Sequence, residues 1–114
     1  MSRYAKLQED RVEKHLVKLG FRVIEDTARR KKDCADRIVE HVDTGFTMCV
    51  DNKSTTGAET MTFHRKWFDK VKEDSQNYER LTGVKSYPVI TLTFKGSQKI
   101  LACFDLDDLE GLIY

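Results

Sequence analysis

At 114 residues the chain has room for one core, with residues 1–114 forming a single domain, and for no second module. Hydrophobic residues make up 39% and charged residues 34%, a balance that excludes a disordered chain and describes a globular protein with a charged surface. The formal net charge of +1 singles out no partner, and no stretch approaches the roughly 20 apolar residues of a membrane span, so no membrane-spanning helix is expected.

Residues 3–19 carry a helical period, with Ala5, Val12, Leu16 and Leu19 on one apolar stripe and Gly20 closing the helix. FRVIE (21–25) reads as a strand, DTARRKKDC as a basic loop, ADRIVEHV (35–42) as a second strand, Asp43-Thr44-Gly45 as a hairpin turn, and FTMCVDNKS (46–54) as a third strand. TTGAET is a polar connector. From about Met61 to Leu81 a long helix is expected, its core stripe made of Phe63, Trp67, Val71, Tyr78 and Leu81, with Thr82-Gly83 as its stop. SYPVITLTF (86–94) and KILACF (99–104) are two further strands joined at Lys95-Gly96-Ser97, and Asp105 caps a short final helix. The order α-β-β-β-α-β-β-α predicts an α/β fold with a central mixed five-stranded sheet flanked by helices.

The cysteines, Cys34, Cys49 and Cys103, are odd in number and without C-x-x-C spacing, so neither a disulfide framework nor a zinc site is indicated. A reducing, cytoplasmic setting is the expected home.

Two features stand out as candidates for chemistry. Glu9 falls within about 20° of Leu16 on the helical wheel, so a carboxylate faces the core, where its burial costs several kcal/mol unless it is paired or bound to a cation. Glu13, on the flank of the stripe, is the alternative helix carboxylate. In the third strand, Thr47, Cys49, Asp51 and Lys53 share one face, while Phe46, Met48, Val50 and Asn52 share the other. Alone, an acid and an amine at a strand end read as an exposed ion pair contributing under about 1 kcal/mol. The hairpin between the second and third strands changes that reading, because it returns Asp51 and Lys53 to the end where Asp36 opens the second strand. Two carboxylates and an ammonium then converge, an oxygen-rich setting suited to Mg²⁺, with Mn²⁺ as a substitute. Asp36 and Asp51 are expected metal ligands, the Asn52 carbonyl a further one, Glu9 a holder of a second ion or a water, and Lys53 the group that orients water or stabilises developing charge.

The acidic helix EDRVEKHLVKLGF (9–21), the aspartate opening a strand after a basic loop in KKDCADRIV, and the D-x-K of DNKS resemble the PD-(D/E)XK nuclease superfamily, most closely the archaeal-type Holliday junction resolvases. The resemblance runs from about residue 5 to residue 104. It implies a restriction-endonuclease-like fold, metal-dependent phosphodiester hydrolysis, Glu9, Asp36, Asp51 and Lys53 as catalytic residues, branched DNA such as a four-way junction as substrate, and a homodimer; resolvases of this kind occur in archaea and viruses, so the chain is either cellular or virus-encoded. The sequence departs from the pattern at Ala35, where many members carry Pro, at Asp51, where Glu is usual, and at Thr27, the nearest counterpart of the serine in the basic loop.

Phosphate contacts are expected from Arg29, Arg30, Lys31 and Lys32, next to Asp36, from Arg65 and Lys66 in the long helix, and from Ser54 and Thr55, unless those two merely end their strand. His64, Trp67, Phe68 and Tyr78 are expected to be structural rather than catalytic or base-stacking. Two other classes stay open on the residues alone: a nicking, repair or restriction-type nuclease on the same scaffold, and a non-catalytic nucleic-acid-binding module.

Overall fold

The computed structural model describes residues 3–24, 37–57 and 59–113. The basic loop and Asp36 therefore lie outside the described residues. One five-stranded sheet, in the order β1-β2-β3-β4-β5, consists of β1 (Phe21–Ile24), β2 (Arg37–His41), β3 (Thr47–Thr55), β4 (Tyr87–Phe94) and β5 (Ile100–Phe104). All neighbours are antiparallel except β3 and β4. Two parallel neighbours need a crossover, and α2 (Arg65–Thr82) supplies it. Helix α1 (Arg3–Lys18) precedes the sheet, and a 3-10 turn (Leu106–Asp108) followed by α3 (Leu109–Ile113) ends the chain. The expected mixed sheet with flanking helices, and its element order, are those of the structure.

Strand alternation divides the apolar residues between the two faces. On one, Ile38, Cys49 and Ile90 pack with Val71 and Tyr78 of α2, bordered by Trp67, Phe68 and Leu92. On the other, Val39, Val50 and Val89 pack with Leu16 of α1 and with Phe21, Val23 and Met48. Strand β3 is covered on both faces and flanked by strands on both edges, a position it shares with β4.

Turns follow their glycines where the backbone requires it. Gly45 adopts φ 76°, and the hairpin closes through the His41 amide donating to the Phe46 carbonyl at 2.8 Å. Gly20 adopts φ 98° after α1, and a side chain there would meet His41 Nε2 at 2.8 Å. Asp105 caps the tail as expected, its carboxylate accepting from the Asp107 amide at 2.9 Å.

Three expectations need correction. Helix α2 starts at Arg65, not near Met61, because His64 is extended (φ −99°, ψ 125°) and takes the cap position. The four-residue step from Phe63 to Trp67 that suggests a longer helix is instead a contact across the helix start, with the Phe63 ring edge-on to Trp67, much as a hydrophobic staple fixes chain entry. Leu19 and Leu81, assigned to apolar stripes, are mostly exposed. Leu19 lies in the turn beyond α1, off its wheel, and the α2 stripe closes on Val71, Ser75 and Tyr78 before the last turn. Ser75 is buried because its hydroxyl donates to the Ser86 carbonyl at 2.9 Å, joining α2 to the entry of β4.

The burial pattern predicts that Ile90→Ala, at the centre of the sheet, costs about 2–5 kcal/mol by leaving a cavity, whereas Leu81→Ala changes stability by no more than about 0.5 kcal/mol. Urea midpoints of the two variants check this; equal losses would contradict the assigned core.

Candidate active site

The polar residues of interest begin where the β2 ladder gives way. Arg37 pairs with Val50, the last β2–β3 pair among the described residues, while the parallel ladder with β4 continues from Asp51 to Thr55. Asp51 is therefore inside the sheet, opposite Ile90, and only 5% exposed. Its Oδ2 lies 3.1 Å from the Lys53 ammonium. Its Oδ1 is buried and has no hydrogen-bond partner among the described residues. The pair is thus not an exposed one at a strand end: a carboxylate has been taken from water with one oxygen left unsatisfied, at a cost of about 1–3 kcal/mol or more for a charged group.

Lys53, two residues on and on the same face, also approaches α2, its ammonium 5.2 Å from the centre of the Trp67 ring. The expectation that Trp67 belongs to the core holds in part, since the ring borders the cluster around Ile38, Cys49 and Ile90. Its contact with Lys53 has no signature in strand or helix periodicity.

On the opposite face, Asn52 is held between two buried threonines of β4, accepting from Thr91 Oγ1 at 2.9 Å and donating to Thr93 Oγ1 at 3.3 Å. Helix α1 closes over it. Glu9, Glu13, Arg37 and Asn52 line a cleft of about 20 Å³, room for a water or an ion, whose remaining walls include Val12, Leu16 and Val50. Glu9 therefore does face inward from the apolar stripe. Burial raises its pKa above the ordinary carboxylate value; the Arg37 guanidinium opposes that rise, and the charge of Asp51 adds to it. Glu13 Oε1 instead sits 3.7 Å from Arg37 Nε, so Arg37 engages the flanking carboxylate directly. Arg37 was missed in the sequence, although its alternation with Val39 on β2 puts it on the α1 face.

The expected constellation is thus brought together in part. Asp51 and Lys53 form one contact, Glu9 and Asn52 share a cleft on the other side of β3, and Asp36 immediately precedes Arg37 but lies outside the described residues, as do Arg29, Arg30, Lys31 and Lys32. Among the described residues no group of three His, Cys, Asp or Glu side chains could hold a metal ion. The buried Asp51 Oδ1 nevertheless fits a hard cation, which would satisfy an oxygen that the described residues leave unpaired. Thr55 is committed to ending its strand: its carbonyl accepts from Tyr4 Oη at 3.1 Å and from the Lys95 amide at 3.2 Å, and its hydroxyl accepts from the Gly57 amide. Ser54 is half-buried, while Arg65 and Lys66 are exposed in the first turn of α2, Arg65 lying 3.7 Å from Asp69.

A mixed five-stranded sheet with a crossover helix on one face and the N-terminal helix on the other is the restriction-endonuclease-like fold. Among solved structures, the chain is similar to Archaeoglobus fulgidus Hjc, a Holliday junction resolvase from an archaeal hyperthermophile, with a TM-score of 0.53 and 15% identity over 87% of this chain and 73% of that one. No protein-family model and no curated protein matches the sequence.

The raised pKa of Glu9 has a defined sign. The folded state binds this proton more tightly than the unfolded chain, so ionised Glu9 opposes folding above its folded pKa, and the penalty fades as pH falls toward the ordinary value of 4.5. Glu9→Gln is expected to be more stable than the parent at pH 7, with the difference closing toward pH 4. Urea titrations across that range test it, and a gap that widens on acidification would reverse the assignment.

Proposed function

We propose that the chain is a metal-dependent, structure-specific DNA endonuclease that resolves four-way junctions as a homodimer. The observation that carries this reading is Asp51: a buried carboxylate on the central strand with one oxygen on Lys53 and the other unpartnered among the described residues, in a fold shared with a Holliday junction resolvase. Asp51, Asp36 and the Asn52 carbonyl are the proposed holders of Mg²⁺ or Mn²⁺. When bound, a divalent ion there would supply positive charge to the scissile phosphate and would lower the pKa of a water.

The chain's own groups do the rest. Asp51 fixes the Lys53 ammonium, which donates to a phosphate oxygen or orients the attacking water as charge develops. Glu9, which feels the charges of Arg37 and Asp51, orders a water or a second ion at the α1 side. Arg29, Arg30, Lys31 and Lys32, with Arg65, Lys66 and Ser54, hold phosphates on either side of the cut, so that shape and backbone rather than base sequence govern binding. Two symmetric cuts require two sites, and a two-fold dimer supplies them.

Cleavage of a synthetic four-way junction with and without Mg²⁺ tests the reading. Asp51→Asn and Lys53→Ala are each expected to slow cutting by about 100-fold or more while junction affinity stays within a few-fold. Equal cutting of linear duplex would indicate a less specific nuclease, and binding without any Mg²⁺- or Mn²⁺-dependent cutting would indicate a binding module. In the absence of DNA, saturating Mg²⁺ is expected to raise the melting temperature of the parent, by the equivalent of about 2.7 kcal/mol at 100 times Kd, and to leave Asp51→Asn unmoved.

A further inference from the structure

Lys53 is a long, flexible side chain charged with a task that needs a fixed position, and Asp51 alone fixes it poorly. A carboxylate with a divalent cation on one oxygen gives up much of its attraction for an ammonium on the other, because the cation offsets its negative charge and repels the ammonium. A second holder that does not depend on Asp51 is needed at that moment. The Trp67 ring is placed to be one: the ammonium lies 5.2 Å from its centroid, within reach of the negative face of the indole.

The ring is itself immobilised. Phe63 meets it edge-on at 5.6 Å and His64 at 4.8 Å, and part of the side chain packs against the core cluster that includes Ile38, Cys49 and Val71. Phe63 and His64 lie just before α2, so the helix start serves as a bracket for the ring.

We propose that Trp67 is a positioning residue for Lys53, its ring face holding the ammonium at the Asp51 site whether or not that carboxylate is occupied. The catalytic consequence rests on the nuclease reading, whereas the contact itself does not.

Trp67 is the chain's one tryptophan, so its emission reports on this contact directly. In the full chain, Lys53→Met is expected to change the emission of the folded protein. In a double-mutant cycle with Trp67→Leu, the two losses in the unfolding constant are expected to be coupled by about 3- to 10-fold. Trp67→Phe, which keeps an aromatic face and most of the volume, replaces Trp67→Leu in the cycle if the latter does not fold, with a smaller coupling of the same sign.

In single-turnover cutting of a four-way junction with Mg²⁺, Trp67→Leu is expected to slow the cut about tenfold with junction affinity within twofold, and Trp67→Phe to restore most of the rate. In a Lys53→Met background Trp67→Leu should add no further loss. Unchanged emission in Lys53→Met together with a coupling factor of one overturns the proposal, as does an equal Trp67→Leu effect on rate in both backgrounds. A parent that cuts nothing overturns the nuclease reading, while emission and the cycle still decide whether the ring holds the ammonium.

Discussion

A charge buried in the central strand, covered on both faces, governs this molecule. Asp51 occupies a position on β3 that packing alone would give to an aliphatic residue: Cys49 and Val50 precede it fully buried, and Ile90 stands opposite. Its ion pair with Lys53 offsets part of the desolvation cost and leaves Oδ1 without a partner among the described residues. The apolar clusters on both faces of the sheet supply the surplus stability that lets such a residue persist. Sequences depart from local consistency of this kind mainly where function requires it, and a carboxylate short of one partner is the sort of departure a cation would remove.

The period of two along β3 then divides the labour. Asp51 and Lys53 look toward α2 and meet Trp67, whereas Val50 and Asn52 look toward α1 and meet the cleft of Glu9, Glu13 and Arg37. The two sides communicate electrostatically through the strand, since the charge of Asp51 helps to raise the pKa of Glu9. Asn52 contributes stiffness. Bonded to Thr91 and Thr93, it ties β3 to β4 through side chains as well as through the main-chain ladder, just where the described β2 pairing stops.

Much of this was legible in the sequence because it follows from short periods. The alternation in FTMCVDNKS puts Asp51 beside Lys53, and the wheel of α1 places Glu9 among Val12 and Leu16; both depend only on local geometry. The same reasoning fails at element ends, where the period no longer applies, which is why Leu19 and Leu81 are exposed and why Phe63 imitates a helical step across a cap. Contacts made by tertiary crossing left no local trace. Trp67 reaches Lys53 only because α2 returns over β3, and the threonines of VITLTF gave no sign of partners because alternating polar residues in a strand ordinarily face solvent. The burial of Asp51 was likewise hidden, since the same D-x-K at a frayed strand end would be an unremarkable surface pair.

The near-neutral net charge conceals a separation along the sheet. Helix α2 begins beside Lys53, where Trp67 meets it, and ends near Ser86, so it runs back against the parallel strands and presents Arg65 and Lys66 at the end toward which β3 and β4 point. The tail carrying Asp105, Asp107, Asp108 and Glu110 packs elsewhere: Gly111 sits so close to Tyr87 that a Cβ on it would collide with the phenol, and Tyr87 pairs with Met48, three residues before Asp51. The acids of the tail are thereby kept toward the entry of the parallel strands, while Arg65 and Lys66 stand at the exit, on the side of Lys53. A total of +1 is compatible with attracting a polyanion at the end where Arg65 and Lys66 stand, because a phosphate chain responds to the local field within about 8–10 Å at ordinary salt and not to the sum over the surface.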